Sequence, residues 1–529
     1  MKRAAICFLL ALSSKSFAQE PPTEPPPAPV PAPVPAPVPA PVPAPVPAPV
    51  PAPPSDAPVT NPPDQRVNSL DIVSYGSPRG FRFGSYGRII VGTDLHGGKP
   101  EEIALVAHPP RIVEDSYLEL DFSYGFETAR GVRLRPVITL AFDGTLFHDT
   151  GNFDAHPALR NLFLDAQVNS HWTVWAGSRM YRGDDIYLLD YWPLDNQNTV
   201  GAGVFYKTKG ARAKDVVEVA VHAGANRLID PNCLVAAGNP NPTVCYQYQE
   251  ISVANPQQGA TTVVQLNRER MVASATGSYL LDAGTSGIGI KLKVHAQVEA
   301  IGTGSRQLTD GSTQALPDDT GALIGAEVSF FDFGGSKVDK KFRRHVNVFA
   351  RYAAGLAAFD ELAPPSSFGP DLRTTNASEL SFGTSSNWDT SYGNLMFGAL
   401  TRRWQDATGQ PDFLSGWEYV LDARPLAKIV PDWFVGADIS YQARFPQGLN
   451  PITERAEDAS VFQIAPMVVF SPTGPSSYDR PQLRFVYRAA HLDQGALDLY
   501  VPDDPRHSRA WVHSLGVQAE WWFNSSTYR

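Results

Sequence analysis

From Gly80 onward, apolar and polar residues alternate in short segments separated by Gly, Pro, Asn and Asp clusters. In Ser116–Tyr124 one face carries Leu118, Leu120, Phe122 and Tyr124, and the other carries Tyr117, Glu119, Asp121 and Ser123. A two-residue period places successive side chains on opposite sides of a strand, so this segment is predicted to have one greasy and one wet face. The same rhythm sets Phe83, Ile89 and Val91 against Arg82, Tyr86 and Arg88. It sets Val346, Val348, Ala350 and Tyr352 against Asn347, Phe349 and Arg351, and Leu483, Phe485 and Tyr487 against Arg484 and Arg488. In the last candidate strand Leu515, Val517, Ala519, Trp521 and Phe523 oppose Ser514, Gly516, Gln518, Glu520 and Trp522.

A secreted β-sandwich also alternates. Three features favour a transmembrane barrel instead. Strands run to about ten residues, the length a tilted membrane strand needs. Tyr124, Tyr352 and Tyr487 stand near strand ends on the apolar face, where an interfacial girdle belongs. The final strand ends on Phe523, close to the C-terminus. The predicted fold class is all-β, a closed antiparallel transmembrane barrel of about 18 strands, because an open edge in lipid would leave backbone groups without partners.

The rest of the chain divides simply. Residues 1–18 read as a secretory signal, with Lys2 and Arg3 before a short apolar stretch and Ser16-Phe17-Ala18 as the cleavage site. Residues 19–79 read as a proline-rich linker whose centre is six copies of Ala-Pro-Val-Pro from Ala28 to Pro51. Such a run adopts polyproline II and reaches on the order of 100 Å, enough for a spacer or for a periplasmic tether toward the cell wall. Residues 80–529 are the expected barrel. The net charge of −10 argues against nucleic-acid binding. Cys233 and Cys245, the cysteines that outlast the signal, are expected to form a disulfide in an oxidising compartment. No metal or cofactor site is expected, and no H-E-x-x-H, G-x-S-x-G or phosphate-loop motif points to an enzyme.

The stretch Trp175-Ala176-Gly177-Ser178-Arg179-Met180-Tyr181, followed by Asp184-Asp185-Ile186-Tyr187-Leu188-Leu189-Asp190-Tyr191-Trp192, resembles the signature of the maltoporin-like carbohydrate porins. Ser85-Tyr86-Gly87-Arg88, Ser116–Leu120, Pro157-Ala158-Leu159-Arg160 and Gly516–Phe523 resemble other family segments, in the family's order. The resemblance implies an eighteen-stranded homotrimeric barrel in the bacterial outer membrane, passing oligosaccharides or disaccharides along an aromatic strip. Strand parity and the family pattern both put Tyr86, Tyr117 and Trp522 in that strip, facing the water column. The resemblance further assigns Arg88, Glu119 and Arg160 to a polar track, and Asp185, Asp190 and Trp192 to a constriction. It makes Phe153 a loop aromatic reaching into a neighbouring subunit's pore. The family's constriction arginine falls at Gly183 and its histidine at Tyr187, so maltodextrin specificity does not carry over. Arg179 reads as a structural strand residue, and Phe349, Trp417 and Tyr419 are candidates for the remainder of the strip. A less selective general or anion porin, and a barrel that merely anchors an envelope-tethering arm, are the alternatives.

Overall fold

The computed structural model describes residues 79–143, 157–211, 215–226, 249–255, 259–265, 268–282, 288–307, 312–332 and 344–524. Residues 1–78, with the expected signal and nearly all of the expected linker, lie outside the described residues, as do Phe153, Cys233 and Cys245.

Eighteen strands form one antiparallel sheet. They are β1 (Gly80–Thr93), β2 (Tyr117–Glu127), β3 (Arg133–Asp143), β4 (Pro157–Gln167), β5 (Trp172–Arg182) and β6 (Asn196–Lys209). Then come β7 (Val216–Asn226), β8 (Arg270–Asp282), β9 (Ile288–Ile301), β10 (Asp319–Asp332), β11 (Arg344–Gly355) and β12 (Ser378–Thr390). The last six are β13 (Gly393–Gln405), β14 (Gly416–Val430), β15 (Trp433–Pro446), β16 (Ala459–Phe470), β17 (Gln482–Leu492) and β18 (Trp511–Phe523). Each strand pairs with its sequence neighbours, and β18 returns to β1, with Ser85 opposite Phe523 and Thr93 opposite Leu515. The sheet is therefore closed and has no free edge, the condition for a β-structure in hydrocarbon.

The side chains are sorted inversely to a water-soluble protein. Phe81, Val91, Val200, Val294, Val298, Ile324 and Phe485 are exposed on the outer face. Glu119, Arg270, Lys291, Lys293, Glu327 and Asp438 are buried inside. An apolar exterior suits lipid, and charged groups survive inside only where they pair or meet water. Tyr124, Tyr352 and Tyr487 point outward as the girdle reading expects.

The two ends of the barrel differ. Turns of two residues, 391–392 and 431–432, close β12–β13 and β14–β15 at one end. Long connections, such as 94–116, 183–195 and 356–377, leave the other end. Short turns on the periplasmic side and long loops outside are the rule for outer-membrane barrels. Two small hairpins, Gln249–Asn255 with Gly259–Gln265 and Gly304–Gln307 with Thr313–Leu316, belong to loop segments.

The long loops fold back into the barrel. Ile186 and Leu189 of 183–195, Ile103 and Leu105 of 94–116, and Phe349 and Leu400 of the wall share one apolar cluster. Small wall residues make room for this. A Cβ on Gly383 or Gly398 would come within 2.7 or 2.9 Å of Ile186. Phe349 is thus buried against loop residues and is no part of a water-facing strip. Trp417 and Tyr419 stack on each other, and Tyr419 is exposed on the outer face beside Phe445, so this pair belongs to the girdle and not to the lumen.

A candidate solute-binding site in the barrel lumen

The seam where the barrel closes carries the first group of site residues. Register places Tyr86 of β1 opposite Glu119 of β2 on one side and Trp522 of β18 on the other. It places Arg88 opposite Tyr117 and Glu520. All six share the inward parity, so the two-residue period alone brings them together. The Tyr86 ring lies 5.9 Å from Tyr117 and 6.5 Å from Trp522, a continuous aromatic ribbon across three strands.

Charged groups of both signs flank the ribbon. The Tyr117 hydroxyl donates to Glu119 at 2.6 Å, and Arg160 pairs with the same carboxylate at 2.5 Å. The guanidinium carbons of Arg88 and Arg160 lie 5.3 and 5.5 Å from the centre of the Tyr117 ring. Arg88 also pairs with Glu114 at 2.9 Å and with Asp190 at 3.5 Å. Arg111, delivered by the first loop, donates to the Tyr86 hydroxyl at 2.5 Å and pairs with Glu114 at 2.7 Å and Glu520 at 3.2 Å.

Only part of the ribbon is open. Tyr117 is half-buried, but Tyr86 and Trp522 are just 2% and 3% exposed. They face inward, as expected, yet the water column does not reach them. Tyr187 stands edge-on to Trp522 at 6.2 Å and donates from its hydroxyl to Glu520 at 2.7 Å. Arg480 lies 4.1 Å over the Trp522 ring. The sequence reading missed this cover because loop residues carry no period that would fix their direction.

The constriction segment 183–195 is a short 3-10 turn, Tyr187–Leu189, closed by Asp190 in the left-handed region at φ 49°. A Cβ on Gly183 would fall 1.6 Å from an Asp195 carboxylate oxygen, so no side chain fits there and the family's arginine has no place. Arg111 and Arg480 supply the cations from other segments. Asp184 and Asp195 are tied to the wall by Lys291 and Lys293 at 2.5 and 2.9 Å. Asp185 is half-buried beside the constriction, and burial, reinforced by the charge of Asp190, pushes its carboxyl up to about 7. Trp192 is brought to the constriction, but Arg182 covers its ring at 3.7 Å and only 4% of it is exposed. Arg179 is buried among Phe163, Trp175 and Tyr181, in keeping with a structural role.

Toward the long-loop end the lumen opens into a cavity of about 940 Å³, lined among others by Arg88, Asp190, Asp360, Arg402, Trp404 and Glu418. Its walls are paired as well. Arg402 meets Glu379 at 2.8 Å and Glu418 at 3.1 Å, and Arg351 meets Asp360. Among the described residues no group of three or more His, Cys, Asp and Glu has the arrangement of a metal site.

A closed barrel with an apolar exterior, a charged lumen and loops narrowing the passage is a porin. Residues 81–523 match the model of the LamB porin family, and the chain belongs to that family. It is a protein of the bacterial outer membrane. No curated protein matches it. Among solved structures it is remotely similar to OccD3 (OpdP) of Pseudomonas aeruginosa, at 9% identity over 84% of this chain and 91% of the other, with a TM-score of 0.41. It is also remotely similar to OccAB2 of Acinetobacter baumannii, at 9% identity over 84% and 97% with a TM-score of 0.41.

Proposed function

We propose that the channel passes neutral oligosaccharides or disaccharides by facilitated diffusion, with Tyr86, Tyr117 and Trp522 as stacking surfaces. The observation that carries this reading is the pairing of charges around an aromatic ribbon. A sugar ring has a weakly apolar face and a rim of hydroxyls that both donate and accept. Arg88 with Glu114, Arg160 with Glu119, and Arg111 with Glu520 offer donors and acceptors side by side. An anion pore would instead line its wall with cations that lack carboxylate partners. Here Arg88, Arg160 and Arg111 around the ribbon each have a carboxylate partner, which favours a neutral polyhydroxylated solute.

In this account Tyr117, the open ring, receives the sugar first. Arg88 and Arg160 hold that ring in orientation, while the Glu119 carboxylate offers oxygens that accept hydrogen bonds from sugar hydroxyls. Asp185, Asp190 and Trp192 border the narrowest part. Many weak contacts in series allow passage without trapping. The working unit we take to be a homotrimer, with Phe153 reaching toward a neighbouring pore, Cys233 and Cys245 joined, and residues 19–79 serving as a periplasmic arm. Current block by a panel of sugars in planar bilayers tests the reading. Concentration-dependent block by neutral oligosaccharides supports it, and free passage of anions with no sugar block rejects it. A variant lacking residues 21–63 should conduct and be blocked normally if transport belongs to the barrel.

A further inference from the structure

Connections at the periplasmic end differ in length. Between β16 and β17 the chain runs through 471–481, whereas the neighbouring turns 391–392 and 431–432 are minimal. The extra residues do not project away from the barrel. Ser476, Ser477, Tyr478 and Arg480 are all buried, between 2% and 5% exposed. The segment turns into the lumen and reaches β12, four strands round the wall from β16. There the Ser476 and Ser477 hydroxyls donate to the two Asp389 carboxylate oxygens at 2.6 and 2.8 Å, and Asn387 donates to Ser477 at 3.1 Å.

Its tip meets the constriction loop coming from the other side. Tyr478 packs edge-on against Tyr187 at 5.7 Å and stacks near His345 at 6.0 Å. Arg480 donates to the Tyr187 hydroxyl at 2.5 Å, pairs with Glu520 at 2.9 Å and covers the Trp522 ring at 4.1 Å. The face of Trp522 that a sugar would use is already occupied by a guanidinium, and the ring's 3% exposure expresses that.

We infer that segment 471–481 is an inner plug at the periplasmic mouth, with Arg480 and Tyr478 as the residues a solute must displace to pass Trp522. The plug is moored by polar side chains to Asp389 and Asn387, contacts that water can replace as it moves. The stacking face would thus be available only to a solute that competes with the cation–π contact of Arg480. Charged side chains could then turn away solutes that do not stack. This last point rests on the stacking role proposed above; the plug itself does not.

Two variants of the full-length channel test it in planar bilayers, each first checked for SDS-resistant, heat-modifiable assembly. Deleting Thr473–Asp479 leaves a short turn and should raise single-channel conductance roughly twofold or more, because the plug stands in series with the constriction and closes part of the passage to ions. Asp389→Ala frees the mooring and should give frequent excursions to that higher level, with shorter sugar dwell times. If both assemble and neither conductance nor dwell time changes, the plug is refuted. If the deletion fails to assemble, Asp389→Ala decides alone by the same criterion. Raised conductance without sugar block in any variant would leave the plug standing and remove the stacking reading. Unchanged conductance together with weaker block in Trp522→Ala would do the reverse.

Discussion

Trp522→Ala is the sharpest perturbation of the proposed sugar path. The indole touches Tyr86 at 6.5 Å, Tyr187 at 6.2 Å and the Arg480 guanidinium at 4.1 Å. A well-placed aromatic pair contributes about 0.5–1.5 kcal/mol, and stacking of a flat ligand on a ring about 1–3 kcal/mol. A sugar is less flat and less polarisable than a base, so its loss lies near the lower end, about 1.4 kcal/mol, or about tenfold in affinity. The half-blocking sugar concentration should therefore rise about tenfold, through faster release. Removing a fully buried Trp costs about 3–5 kcal/mol in a dry core. Here the gap is bordered by the Arg480 guanidinium and the Tyr187 ring, so polar groups line part of it, and the ladders joining β18 to β1 and β17 use backbone groups only. Assembly should survive. The assay is sugar-dependent noise in single-channel current, with the heat-modifiable band as control. Intact assembly with unchanged block would refute the stacking argument.

Gly183→Arg, which would restore the family's arginine, should fail to assemble or lose the constriction fold, because its Cβ collides with Asp195 beside Lys293; normal folding and conductance would contradict this, as read from the heat-modifiable band. Asp185 holds its proton up to about pH 7, so the lumen gains a negative charge as pH rises through that value, and the reversal potential in a salt gradient should shift toward cation selectivity. Asp185→Asn should flatten that shift. The sign for stability is opposite to that of an ion-paired acid. The folded chain binds this proton more tightly than the unfolded chain, so its contribution is present at low pH and lost as pH rises from about 4 through about 7. Asp360→Ala strips the shared carboxylate from Arg351, Arg402 and His108, and breaking a buried pair costs about 3–5 kcal/mol. The loop 356–377 should then become sensitive to external protease, while a resistant loop would show that the pairs do not hold it.

Much of the wall was legible in the sequence. With a strict period of two, a single polar face in each strand fixes the direction of every residue on it. Tyr86, Arg88, Glu119 and Trp522 accordingly read as inward-facing from the alternation alone. The same logic fails for aromatics near strand ends, where girdle and strip residues have the same composition, and Trp417 and Tyr419, candidates for the strip, face outward. The interior fill was not legible. Arg111, Tyr187, Tyr478 and Arg480 come from segments without a repeat, and their partners lie far along the chain, as Tyr187 and Glu520 do. Gly183 did carry a signal. A missing side chain where the family keeps an arginine implied a rebuilt constriction, though not that Arg111 and Arg480 would supply its cations from a loop and a turn. The identity of Phe349 as a seat for the inward loops needed Ile103 and Ile186 in place.

The central claim is that sugar moves along the inward aromatic ribbon of β18, β1 and β2. A structure of the reconstituted channel saturated with a linear oligosaccharide tests it most directly. The expected result is sugar rings over Tyr117 and Trp522, with Arg480 swung off the indole. Sugar held elsewhere in the lumen, with Arg480 still seated on Trp522, would contradict it.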